Sequence, residues 1–304
     1  MTQIIIEPYA ISITKRWKQN DKHLNLSEFR EGMDLFVFLN DWLAPLQTQT
    51  QAFPLRFKAA KVTSYRNKER SLRGRLQVGP YGFASPIVNI ETGSTSYDKK
   101  RTDADLAPYY FGFFVPEDSQ YGVALLEKIG VKGVRSIVHD LVETPFKEVF
   151  EDATLHINPL APADAAKNAL KHDIHEVRFV QHAIPPDIAD KFLKKKHPRG
   201  KMTITVETSE DPMAKLNGWL GSVINGKSAI PDLIEFEDFT PDSVKAIINM
   251  GERRRIMEIS NRVKFKPSFD VTDEVELGTD GYPKFASIDE VCTGIAEDLL
   301  EVLN

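Results

Sequence analysis

Ser71-Leu72-Arg73-Gly74-Arg75-Leu76-Gln77-Val78-Gly79-Pro80-Tyr81-Gly82 is the stretch on which the fold turns. Leu72, Gly74, Leu76 and Val78 recur at every second position, with basic or amide side chains between them. Successive side chains of a strand point to opposite faces, so this period marks a half-buried strand rather than a helix. Gly79-Pro80-Tyr81-Gly82 is a turn signal that ends the run. The same period appears upstream at Leu55, Phe57, Ala59 and Lys61, and residues 87–90 and 109–115 add a short and a buried strand. Strands in succession, joined by short turns over 53–116, predict an antiparallel meander.

Outward from this core the pattern changes. Residues 4–6 and 10–14 read as short strands. Asn25 or Ser27 caps a helix that runs to Leu46, where Pro45 stops it; Phe29, Met33, Phe36, Val37 and Leu39 recur near helical spacing. Helices are expected over 119–128 and 131–150, the second with Val134, Ile137, Val138, Leu141 and Val142 on one face. From Thr154 strands (155–157, 174–180, 201–207) alternate with helices (161–170, 186–194, 212–223). Residues 244–250 and 254–260 flank Gly251-Glu252 as a hairpin. A helix from Ser287 to Leu303 closes the chain, with Ser287 and Glu290 as a capping box. The reading is α+β: an antiparallel sheet with helices and a basic face over 1–151, then an alternating strand/helix lobe over 152–304.

The chain has 304 residues, 41 % hydrophobic and 27 % charged, which supports a folded core and excludes disordered, collagen-like and coiled-coil classes. Cys292 is the one cysteine, so an internal disulfide and a multi-cysteine metal site are excluded. No signal peptide is read at the start, and the apolar runs are too short to span a bilayer, so a cytoplasmic protein without a membrane partner is expected.

Net charge is −5, but it is unevenly spread. From Arg56 to Arg75 there are eight basic residues against Glu69 alone, a local +7, and Lys99-Lys100-Arg101 follows. From Asp232 to the end there are 17 acids against 8 bases, a local −9. Screening limits charge to about 10 Å, so the basic stretch can meet phosphates while the whole chain stays acidic. Arg66, Lys68, Arg70, Arg73 and Arg75 are the expected phosphate contacts, and Tyr65 and Tyr81 the expected stacking residues, for DNA or RNA. Alternation without a bulge puts Arg66, Lys68 and Arg70 on one side and Arg73 and Arg75 on the other. The competing reading pairs this basic face with the acidic C-terminal half.

Other motifs are weaker. Gly221-Ser222-Val223-Ile224-Asn225-Gly226-Lys227-Ser228 matches the phosphate-binding loop string. A helical pattern precedes it and Pro231 follows, so a helix cap and loop is the preferred reading. His156, His172, His175 and His182 cluster, but spacing three on a strand faces opposite sides. Asp232, Glu235 and Glu237 lack the lysine of a metal-dependent nuclease, and Cys292 reads as core. No cofactor or metal is expected and no catalytic residue is assigned. The chain is read as non-enzymatic. The alternatives are a nuclease on Asp232, Glu235 and Glu237, a nucleotide hydrolase on Lys227, and a protein–protein or homo-oligomeric module.

Tyr109-Tyr110-Phe111-Gly112-Phe113-Phe114-Val115-Pro116, Gly130-Val131-Lys132-Gly133-Val134-Arg135 and Asp280-Gly281-Tyr282-Pro283-Lys284-Phe285 resemble the style of uncharacterised bacterial proteins from mobile elements and anti-phage defence loci. The resemblance implies a cytoplasmic bacterial protein that senses or restrains foreign nucleic acid. It transfers no active-site residue.

Overall fold

The alternating stretch forms β4 (Ser71–Pro80), with Leu72, Leu76 and Val78 buried and Arg73, Arg75 and Gln77 half-buried on the other face. It belongs to a computed structural model that describes residues 3–16, 23–160, 174–181, 201–208, 239, 241, 243–250, 253–260 and 268–303. The architecture is mixed α and β, rich in strands, and the sheets are antiparallel. Contacts divide the chain into two compact units. One comprises Ile11–Ile157 with Val275–Ala296; the other comprises Met1–Ala10, Asn158–Glu274 and Glu297–Asn304.

In the first unit β4 pairs with β3 (Lys58–Lys68) on one side and β7 (Ala107–Phe114) on the other. β2 (Gln51–Phe53) lies outside β3, and β8 (Gly122–Ile129) lies beside β7. Between β4 and β7 the chain leaves the sheet to form a separate two-stranded ribbon, β5 (Ser85–Val88) with β6 (Thr95–Lys99). The register sets Phe111 opposite Gly74 and Phe113 opposite Leu72, so these side chains share the face of Leu76. That face meets Leu43 of α1 (Leu35–Leu43), Val138 of α2 (Arg135–Val138), and Leu141 and Val142, around a void of only about 10 Å³. Full burial of Phe111 and Phe113 contributes about 2 to 3 kcal/mol each.

Several elements depart from the sequence pattern. Residues 119–128 are not a helix. After Ser119 turns onto Tyr121 the chain enters β8, whose Gly122 to Leu126 are buried on both faces. A continuous apolar run fits a sheet covered on both sides as well as it fits a helix. The first helix starts only at Leu35. Asp34 Oδ1 accepts from Phe36 N at 2.7 Å and caps it, while Gly32 at φ +68° precludes helix upstream. Leu55 is 99 % exposed in a short helical turn rather than in the strand. The segment after Val134 is helical as expected, but a π turn (His139–Glu143) separates α2 from α3 (Thr144–Val149), where Pro145 has no N–H to give.

A two-residue strand, β9 (Lys132–Gly133), pairs with β8; β10 (Ala153–Pro159) follows α3, and β1 (Ile4–Lys15) is one unbroken strand rather than two. In the second unit β11 (Ile174–Gln181) lies between β12 (Met202–Glu207) and β13 (Ser243–Met250), all antiparallel. β13 pairs with β14 (Arg253–Ser260) from Ser243↔Ser260 to Met250↔Arg253, as the two-residue Gly251-Glu252 connection predicts. Helices expected within 161–170, 186–194 and 212–223 lie outside the described residues. The C-terminal helix, α4 (Phe285–Leu303), begins two residues before Ser287. Ser287 Oγ accepts from Glu276 N at 2.9 Å, so it anchors the preceding loop and is not the capping residue.

Candidate nucleic-acid interface

The basic stretch folds as the β3–β4 hairpin, turned by Glu69 and Arg70, both with positive φ (51° and 57°). Such a two-residue turn matches the twist of the flanking strands, although neither residue is the glycine or asparagine it favours. Arg70 is held there. Its guanidinium donates to both carboxylate oxygens of Asp34 (2.5 and 3.0 Å) and to Val115 O (2.9 Å), and lies 5.1 Å from the Phe36 ring centroid. The same carboxylate caps α1, so Arg70 ties hairpin, helix and β7 end together.

A register shift between Thr63 and Arg66 changes the faces expected from strict alternation. It sets Arg66 directly opposite Arg73, so the two guanidinium side chains share one face. Like charges opposed across strands repel. Asp289 of α4 offsets this: its Oδ2 lies 3.2 Å from Arg66 Nη1 and 3.3 Å from Arg73 Nη1. Its Oδ1 accepts from Tyr110 OH at 3.1 Å. Arg73 also donates to Thr293 Oγ1 at 2.9 Å, Arg75 donates to Pro283 O, and Arg66 lies over the Phe285 ring. The residues from 283 to 293 therefore cover the polar face of β4 and β7. Burial pushes the Tyr110 phenol well above its usual range. On β8, buried Glu127 accepts from Tyr110 N at 2.5 Å, and burial pushes its carboxyl up to about 7 against the pull of that donor and of Arg75.

Of the expected contacts, then, Arg70, Arg73 and Arg75 face internal partners, and Arg66 is 54 % exposed while paired to Asp289. Lys68 is exposed and pairs with the neighbouring Glu69 at 2.8 Å. Tyr65 OH donates to Asn40 Oδ1 at 3.0 Å, and burial pushes its phenol up to about 12. Tyr81 sits elsewhere, half-buried at the base of the β5–β6 ribbon.

That base brings together residues the strand pattern separates. Tyr81 N donates to Phe57 O at 3.0 Å, and Gly82 N to Arg101 O at 2.8 Å. Gly82 has φ +97°, and a Cβ there would stand 3.0 Å from Phe57 Cδ1, so both the backbone conformation and the close approach of the ring favour glycine. Phe57 and Phe83 are 54 % and 69 % exposed, with ring centroids 6.1 Å apart. Arg101 Nε donates to Gly82 O and Lys99 Nζ to Pro80 O, which fixes two cations at the edge of the pair. Exposed Lys100 lies between them, and half-buried Lys58 follows Phe57. Asp103 is engaged by Tyr97 OH and Lys100 N, whose hydrogen bonds hold its carboxyl below the usual range. Phe83 was not singled out from the sequence; the Gly79-Pro80-Tyr81-Gly82 turn directly before it was the available signal of exposure.

The remaining candidates separate. His156 on β10 bonds Thr14 Oγ1 at 2.8 Å, and burial lowers its pKa. His175 lies on β11, and its carbonyl accepts from Thr208 N. His172, His182, Gly221 to Ser228 with Lys227, and Asp232, Glu235 and Glu237 lie outside the described residues. Among the described residues no group of three or more His, Cys, Asp or Glu is placed to hold a metal, and no helix is long and apolar enough to cross a membrane. Cys292 is fully buried. No family model, curated protein or solved structure matches the chain.

Proposed function

We propose that this protein binds single-stranded nucleic acid, with the base of the β5–β6 ribbon as the contact surface. The observation that carries the reading is the solvent-exposed Phe57–Phe83 pair edged by Lys99, Lys100 and Arg101. Large apolar rings held open to water beside cations suit base stacking with phosphate contact, which needs no sequence readout. Tyr81 and Lys58 extend the surface, and Lys68 and Arg66 remain as outlying phosphate contacts. Arg70, Arg73 and Arg75 enter this reading as supports of the hairpin rather than as ligand contacts. A role in phage defence is added on the strength of the sequence resemblance alone.

Fluorescence anisotropy with labelled oligo-dT, oligo-U and a duplex of equal length tests the proposal. Binding should weaken steeply as salt rises from about 50 to about 200 mM. Phe57→Ala and Phe83→Ala should each weaken single-strand binding by about five-fold or more, since a stacked base contributes about 1 to 3 kcal/mol. Lys100→Glu should flatten the salt dependence. No binding by the parent protein, or unchanged affinity in both phenylalanine variants with unaltered circular dichroism, overturns the reading.

A further inference from the structure

A second surface lies astride α1 and does not depend on the nucleic-acid reading. Two adjoining clefts share Asp41 and Trp42 as a common ridge. One, of about 300 Å³, runs between Met33, Val37, Phe38 and Phe150. The other, of about 340 Å³, runs between Pro45, Leu46, Phe53 and Pro145. Their walls are mostly apolar and include large side chains open to water: Val37 is 50 %, Met33 44 % and Trp42 39 % exposed. The Trp42 ring lies alongside Phe38, nearly parallel at 14° with centroids 6.2 Å apart.

Charge decides what such a groove takes. Among the described residues no lysine or arginine lines either cleft, whereas three carboxylates do: Asp34, Asp41 and Asp140. Two of them are paired with arginines, Asp34 with Arg70 and Asp140 with Arg56. Asp41, on the ridge, accepts only an amide hydrogen bond from Asn40 at 3.2 Å and has no basic partner among the described residues. An unneutralised carboxylate and an exposed indole on one ridge, between two mostly apolar clefts, are complementary to a cation flanked by bulky apolar groups.

We propose that the α1 groove binds a basic amphipathic peptide segment of a partner protein, with a lysine or arginine on Asp41 and Trp42 and an apolar side chain in each flanking cleft. The mode is that of an amphipathic segment laid into a groove, read through anchors at one face. Affinity comes from the apolar anchors, and the ridge carboxylate selects the sign of the charge between them.

The test uses the full chain and two synthetic helical peptides, one with leucine and arginine on a single face and one with glutamate in place of arginine. Isothermal titration should show binding of the leucine–arginine peptide only. Asp41→Asn should weaken it by about ten-fold, equivalent to about 1.4 kcal/mol, and Val37→Glu, on the exposed surface of α1, should abolish it without altering circular dichroism. Equal binding of both peptides, or unchanged affinity in both variants, overturns the proposal. Sedimentation of the protein alone supplies the other arm. A self-association that Val37→Glu abolishes would make a second copy of the chain the occupant, and overturn the partner peptide. Failure here leaves the Phe57–Phe83 test untouched, because the two surfaces share no residue.

Discussion

Burial displaces the chemistry of Glu127 far from that of an ordinary carboxylate. Glu127 is buried on β8 and receives one backbone N–H from Tyr110, while its Oε1 has no hydrogen-bond partner among the described residues. Burial disfavours the charged form and outweighs both the Tyr110 donor and the field of Arg75, so the carboxyl titrates at about 7 instead of 4.5. An acid whose pKa is higher in the folded than in the unfolded state binds more protons when folded between those two values. Stability is therefore fully present below about pH 4.5 and is lost as pH rises to about 7. The shift corresponds to about 3 kcal/mol at most. Glu127→Gln should leave the urea midpoint nearly unchanged at about pH 5 and raise it at about pH 8, removing the downward slope between them. An equal midpoint change at both pH values would show that Glu127 does not titrate in this window.

Among the elements, the first half of α4 does what no local segment could. Its Asp289, 5 % exposed, holds two arginines that the β3–β4 register sets opposite one another. Removing a buried partner leaves the other charges uncompensated, so Asp289→Ala should cost about 3 to 5 kcal/mol in urea unfolding. Arg66→Ala, at an exposed position, should cost no more than about 1 kcal/mol. Equal effects of the two changes would mean that the contact with Asp289 is not what seats the helix. The elements themselves were largely legible. The period of β4 followed from Leu72, Leu76 and Val78, and the β13–β14 hairpin followed from Gly251-Glu252. β8 was not legible, because Val123-Ala124-Leu125-Leu126 is as apolar as a buried helix and period cannot separate the two. The faces of Arg66 and Arg73 were not legible either, since one extra residue in a strand exchanges faces and leaves no mark in composition.

At the scale of the whole molecule, the chain is not divided at one point. Residues 275–296 return to the unit built from 11–157, and both β1 and α4 contribute residues to each unit. The face of β4, β7 and β8 that carries Arg73, Arg75, Tyr110 and Glu127 is covered by a segment about two hundred positions away in sequence. Ending the chain at Glu274 should bare that face and leave buried polar groups without partners. Limited proteolysis and hydrogen exchange should then show loss of protection in β4 and β7, far from the cut. Protection of 11–157 equal to that of the full chain would show that this unit is complete without the returning segment.

By itself the sequence determined the α+β class, the antiparallel character of the sheet, the β13–β14 hairpin and the concentration of positive charge over 56–75, because each is written in residues within a few positions of one another. Only the tertiary structure decided what that charge does. Whether an arginine is open to a phosphate or closed on a carboxylate depends on which distant element lies over its face. In this chain Asp34 and Asp289 take Arg70, Arg73 and part of Arg66, while the returning backbone at Pro283 takes Arg75. The surfaces left open, at Phe57 and Phe83 and along Trp42, are set by the same long-range packing.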